Sequence, residues 1–302
     1  VHKYPTWSKE LKEIYDLYPS LQIVFSGSSL LNILNADADL SRRCLPYNMY
    51  GLSFREFLMF YKNIRIPVAS LQEVLENAGD ICQGINEQCR PVQMFNEYLH
   101  DGYYPFFTGN REDYYMNIEN VVNLILEQEM PLLCGVDPAY IRKLKALLSI
   151  LASSVPYEVD ITKLAGTIGL TRNSVITYLQ NLDRAELLKL LYSDLTSVKK
   201  MQKPDKIYLQ NPNLLYAIAS TSVQIGTARE TFAISQLSVN HEIEYGKTQG
   251  DFVVDHKYTF EVGGADKTFK QIADLPDSFI LADNIEYATG KKLPLWIIGL
   301  TY

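Results

Sequence analysis

The chain has 302 residues, enough for two or three domains, with 47% hydrophobic, 12% aromatic and 21% charged side chains. That is an ordinary soluble composition, and a formal net charge of −7 argues against a surface coated for nucleic acid. No apolar run reaches membrane-spanning length and nothing resembles a signal peptide. Cys44, Cys82, Cys89 and Cys134 lack Cys-x-x-Cys spacing, so free thiols in a reducing cytoplasm are expected. His2, His100, His241 and His256 are scattered and assign no metal site.

The elements follow in chain order. Trp7, Leu11, Ile14, Tyr15 and Tyr18 form a helical stripe, with Thr6 and Ser8 near its start. After Pro19, "LQIVF" predicts a short buried strand that stops in "SGSS". "MYGLSF" then opens the helical "REFLMFY". Residues 61–130 read as mostly helical and acidic, with "YLHDGYYPFF" as an aromatic-rich loop.

The pattern changes after Pro131. "DPAYIRKLKALLSILASS" is an amphipathic helix. Asp160 can cap the helix "ITKLAGTI", Gly169 permits a sharp turn, and Thr171 can cap "RNSVITYLQNL". Leu164, Ala165, Ile168, Leu170, Val175 and Leu179 are spaced to pack two helices against a third. "AELLKLLYSD" and "DKIYLQ" then predict a hairpin around a basic tip with Lys199, Lys200 and Lys203. Two helices and a hairpin in this order make a winged helix. In a DNA reader, Arg172, Asn173, Ser174 and Thr177 would face the major groove, and the tip lysines would touch phosphate. In a protein-binding or inter-domain module the same residues are only solvated. Residues 137–200 hold nine Lys and Arg against six Asp and Glu, a small excess for releasing counterions.

From about Leu214 the pattern predicts helix, strand, strand, helix, strand, ending in "KLPLWIIGLTY". Within it, "GDFVVDHKYTFEVGGADK" puts Asp251 and Glu261 at or near the ends of two short apolar runs. Metal-dependent nucleases of the restriction-endonuclease type place their ligands this way, with a lysine two residues after the second carboxylate. Here that position is Gly263.

Taken in order, "VHKYPTW", "SGSS", "DLSRR", "GLSFREFL", the "YL-x-x-G-x-YP" loop, "KIYLQNPNL", "FEVGG" and "PLW" resemble a bacterial and archaeal family of AAA-type P-loop ATPases along nearly the whole chain. The resemblance implies an α/β multi-domain protein. Residues 1–60 would be the C-terminal part of the ATPase core, 61–136 a helical lid, 137–210 a winged helix and 211–302 a restriction-endonuclease-like domain of unknown function. It further implies ATP and magnesium as cofactors of the full-length protein, bound by a glycine-rich loop and Walker B acids that it places upstream of Val1. No G-x-x-x-x-G-K-[ST] occurs in these residues, so neither cofactor is expected in this chain alone.

In that family Ser26 would be the sensor of the γ-phosphate. Arg42 or Arg43 would stabilise charge on the transferred phosphoryl, or else pair with Asp37 or Asp39 on the surface. The nuclease-like domain would bring Glu230 up to Asp251 and Glu261, and Lys267 could reach back to fill the place of the missing lysine. ATP-driven switch, binding module for DNA or a partner protein, and magnesium nuclease therefore stand as three readings of one chain.

Overall fold

A computed structural model describes residues 4, 6–26, 40, 43–45, 47–154, 157–158, 160–193, 203–219 and 223–302. The chain is α/β, with two sheets and twelve α-helices among the described residues. Helix α1 (Trp7–Leu17) buries none of its residues; its Trp7 ring lies 5.5 Å from that of Phe25. Residues 21–25, expected as a buried strand, form no strand, and Val24 is 98% exposed. A strand needs a ladder partner, and no described segment pairs with this one.

The main hydrophobic core takes in residues from α2 (Phe54–Lys62) to Leu300, and Ile272, Ile280 and Ala282 form a small second cluster. Ser53 starts α2 with a capping box, accepting from the Glu56 amide while the Glu56 carboxylate takes the Ser53 amide. The Ser53 hydroxyl and the Arg55 Nε also donate to the carbonyl of Tyr302, at 2.9 and 2.8 Å. Thus the segment that leaves the first sixty residues docks directly on the far end of the sequence. Helices α3 (Leu71–Glu76), α4 (Ala78–Asn86), α5 (Pro91–Asp101), α6 (Arg111–Leu124) and α7 (Met130–Cys134) follow.

One buried side chain explains two of the sequence fragments. Asn213 lies in α11 (Pro212–Ile218), the helix after "KIYLQ", and is fully buried. Its Oδ1 accepts from the Tyr103 amide at 2.7 Å and the Tyr114 hydroxyl at 2.6 Å. Its Nδ2 donates to the carbonyls of Tyr98 and Leu99, at 3.0 and 2.8 Å. All four hydrogen-bonding positions of the amide are used, and they fasten the aromatic loop to the second half of the chain.

Helix α8 (Ile141–Ser154), strand β1 (Tyr157–Glu158), helices α9 (Ile161–Ile168) and α10 (Arg172–Arg184), and strands β2 (Leu188–Leu191) and β3 (Lys206–Leu209) come next. Asp160 caps α9 through the Lys163 amide, Gly169 is left-handed at φ 65°, and Thr171 caps α10 through the Ser174 amide. The three strands pair antiparallel in the order β1-β3-β2.

Helix α12 (Ile225–Leu237) then packs on a five-stranded sheet of order β4-β5-β6-β7-β8. Strands β4 (Ile243–Tyr245), β5 (Phe252–Val254) and β6 (Tyr258–Gly263) are antiparallel; β7 (Ser278–Ala282) and β8 (Lys292–Pro294) continue in parallel. The expected order is corrected in three places. Two helices, not one, precede the strands, and there are five strands. The helix expected inside the sheet is one 3₁₀ turn, Phe269–Gln271. The final strand ends at Pro294 and gives way to a 3₁₀ segment, Leu295–Leu300.

Candidate functional site

β5 connects to β6 through Asp255, His256 and Lys257; Asp255 and His256 are left-handed (φ 51° and 55°), and the Lys257 amide donates to the Val254 carbonyl at 3.0 Å. That fixes Phe252 opposite Phe260 and sets Asp251 beside Glu261 across the ladder. The Asp251 amide donates to the Phe260 carbonyl at 2.9 Å, and its Oδ2 accepts from the Val262 amide at 2.8 Å. Glu261 is nearly fully buried, with 2% of its side chain exposed.

Lys267 does reach back. Its ammonium pairs with Glu261 Oε1. Its stem crosses directly over Gly263: a Cβ at 263 would sit 2.7 Å from Lys267 Cδ. Gly263 therefore leaves room for the Lys267 stem. Next to it, Gly264 faces the guanidinium of Arg229. Arg229 is held in turn by Asp283 at 2.8 Å. Lys270 is exposed.

Glu230, on α12, faces the same cluster, but its oxygen is taken. Lys206 Nζ donates to Glu230 Oε2 at 3.1 Å and the Tyr208 hydroxyl donates to the same atom at 2.6 Å. The Lys206 ammonium lies 5.4 Å from the Tyr208 ring centre and 5.5 Å from that of Tyr245. Neither Lys206 nor Tyr208 was singled out from the sequence. The signal was present: they stand two apart on a strand, so they share a face, and Lys206 is a cation in a run that is otherwise apolar.

Burial pushes the Glu230 carboxyl above its ordinary range, and Asp251 adds to the rise while Lys206 opposes it. Burial likewise raises Glu261; Lys267 pulls it back, and Asp251 and Glu230 push it up. Three carboxylates thus share one field with two ammonium groups. As arranged, these residues do not fit a metal ion. Among the described residues no group of three or more His, Cys, Asp or Glu is placed to hold one. One atom stands out: Glu261 Oε2 is buried and has no hydrogen-bond partner.

The other candidates are not brought into this cluster. Ser26 is exposed at the end of its extended segment. Arg43 pairs in bidentate fashion with Asp16, at 2.9 and 3.1 Å. Arg42, Asp37 and Asp39 lie outside the described residues, as do Lys199 and Lys200. At the start of α10, Arg172, Asn173 and Thr177 are exposed on one end of the helix. Ser174 is half-buried, and its hydroxyl is 2.8 Å from the Thr171 hydroxyl that caps the helix. Lys203 is exposed just before β3. No helix among the described residues is long and apolar enough to cross a membrane.

Comparison with known proteins matches residues 1–58 to the family described as "AAA domain". This supports an AAA-type ATPase relationship, and with it nucleotide binding at the family level. Residues 92–224 match a domain of unknown function, DUF8612. An uncharacterized protein of Methanocaldococcus jannaschii is 29% identical over 206 residues, which is 67% of this chain and 43% of that protein. The chain therefore spans less than half of this relative's length. No solved structure matches.

Proposed function

We propose that this chain is the switch-and-effector section of an AAA-type ATPase. The AAA match of residues 1–58 carries the reading. ATP and magnesium would be held by a glycine-rich loop and acids that are not in this sequence. This chain would add Ser26 as the γ-phosphate sensor and Arg42 or Arg43 as the charge-stabilising arginine. The pairing of Arg43 with Asp16 is consistent with that role. The pair is partly exposed, with 29% and 46% of the two side chains open to solvent. Water screens such a pair strongly, so a phosphate could take the guanidinium from it. Movement of residues 1–50 would pass straight into the core through α2 and its bonds to Tyr302.

The test is ATP hydrolysis by the full-length protein with Arg43→Ala. The expected fall is about a thousandfold, the lower end of what an inserted arginine supplies. An unchanged rate removes Arg43 from the reaction.

A second reading is favoured by the Glu261–Lys267 pair. Residues 211–302 would be a nuclease-shaped domain whose carboxylates hold protein ammonium groups, used for recognition or assembly. Residues 137–210, with helix-turn-helix and hairpin, would be its winged-helix neighbour and would meet DNA or a protein partner.

A further inference from the structure

We propose that Glu186 is held in the folded chain as the neutral acid, its proton bonded to Gln210 Oε1, and that loss of this proton as pH rises loosens the seam between the α10–β2 turn and the aromatic loop. No nucleotide, metal ion or partner is needed for this response.

Glu186 stands in the turn that links α10 to β2, in the left-handed region at φ 57°. That place after a helix is usually filled by glycine or asparagine, because a β-carbon is costly there. A glutamate held in such a conformation points to a use for its side chain. Gln210 Nε2 donates to Glu186 Oε2. Gln210 is 5% exposed, and its Oε1 is buried with no hydrogen-bond partner among the described residues. A buried amide oxygen without a donor is uncommon, because the missing bond is expensive away from water. A carboxylate cannot supply that donor, since it only accepts; a carboxylic acid can. With its proton, Glu186 would make two hydrogen bonds to one amide, giving to Oε1 and taking from Nε2.

The surroundings favour the proton. Burial is the largest cause that raises Glu186 above its ordinary range; Lys189 on β2 opposes the rise, and Asp183 near the end of α10 adds to it. Burial also raises Asp183, whose Oδ1 accepts from the Leu190 amide at 3.0 Å. From the aromatic loop, Tyr103 and Tyr104 face Glu186 as neutral phenols, both pushed up by burial. The seam itself is two residues wide. Gln210 holds Glu186, and beside it Asn211 Nδ2 donates to the Tyr104 hydroxyl at 3.0 Å. Ionised Glu186 would leave Gln210 Oε1 without its donor and set a second carboxylate beside Asp183, where the turn meets the loop.

Glutamine has the shape of the neutral acid and can make both of its bonds, with no proton to lose. The experiment is urea unfolding of the unaltered chain and of Glu186→Gln between pH 4 and pH 8. It is joined to amide exchange at Tyr104 and Gln210, whose amides are both hydrogen-bonded. The folded value of Glu186 is raised above the ordinary 4.5, so its contribution is fully present below pH 4.5 and is lost as pH rises through the raised value. Glu186→Gln should therefore match the unaltered chain at pH 4 and unfold at a higher urea concentration at pH 8. At pH 8 its Tyr104 and Gln210 amides should exchange about tenfold more slowly, the change brought by a proton held one pH unit more tightly. A Glu186→Gln chain that is no more stable than the unaltered chain at pH 8, or that does not fold, shows that the carboxylate serves as a charge and overturns the proposal. A higher urea midpoint with unchanged exchange at both amides overturns the loosening of the seam.

Discussion

Gly263 and Lys267 occupy one another's space: the hydrogen of the glycine faces the stem of the lysine, and a methyl group there would meet Cγ and Cδ at 2.8 and 2.7 Å. Gly263→Ala should therefore push Lys267 off Glu261 and destabilise the fold by about 1–3 kcal/mol, the usual range for overpacking a filled site. In a Lys267→Ala background the same change should be nearly neutral, since the conflicting atoms are gone. Urea unfolding of the two single variants and the double gives the coupling directly. Additive losses would show that the two residues are independent and would undo the matched-pair reading.

Asn213 should be among the least replaceable residues outside the acid cluster. Asn213→Ala orphans the Tyr103 amide, the Tyr114 hydroxyl and the carbonyls of Tyr98 and Leu99 at once. Each buried group left unpaired costs about 1–3 kcal/mol, so a loss of at least about 3 kcal/mol is expected. Thermal and urea unfolding measure it. A loss below about 1 kcal/mol would mean that water replaces the amide without strain.

The acid cluster makes stability depend on pH in a stated direction. Glu230 and Glu261 have folded pKa values raised above the ordinary 4.5, so the folded chain binds their protons more tightly than the unfolded chain does. Their contribution is fully present below pH 4.5 and is lost as pH rises through the raised folded values. Glu261→Gln should flatten that decline, because the glutamine does not titrate. Unfolding free energy measured from pH 4 upward checks it. A variant whose decline runs parallel to that of the unaltered chain would remove Glu261 from the effect.

DNA contact through α10 makes a salt prediction. If Arg172 meets a phosphate, Arg172→Ala should lower the slope of log affinity against log salt for duplex DNA by about 1. Fluorescence anisotropy at several salt concentrations reads the slope. No binding by the unaltered chain even at low salt would leave the protein-partner version of this face.

Local structure was legible where the cause is local. Asp160, Gly169 and Thr171 cap and turn two helices through bonds within three residues of themselves, and the apolar spacing of Leu164, Val175 and Leu179 reports their packing. The failures occur where neighbours decide. "LQIVF" has the composition of a buried strand, yet Val24 is 98% exposed, because composition cannot provide a ladder partner. The helix expected between the strands is a single 3₁₀ turn, Phe269–Gln271.

The candidate site divides in the same way. In the sequence, Asp251 and Glu261 stand at or near the ends of two short apolar runs; the register that sets them side by side comes from the pairing of β5 with β6. The sequence by itself showed that position 263 lacks the lysine of the pattern. Only the tertiary structure decided that Lys267 fills the gap over Gly263, and that Lys206 arrives from a different sheet to neutralise Glu230. A pattern read along a chain carries short-range order. A charge pair 24 residues apart, across two sheets, depends on how those sheets pack.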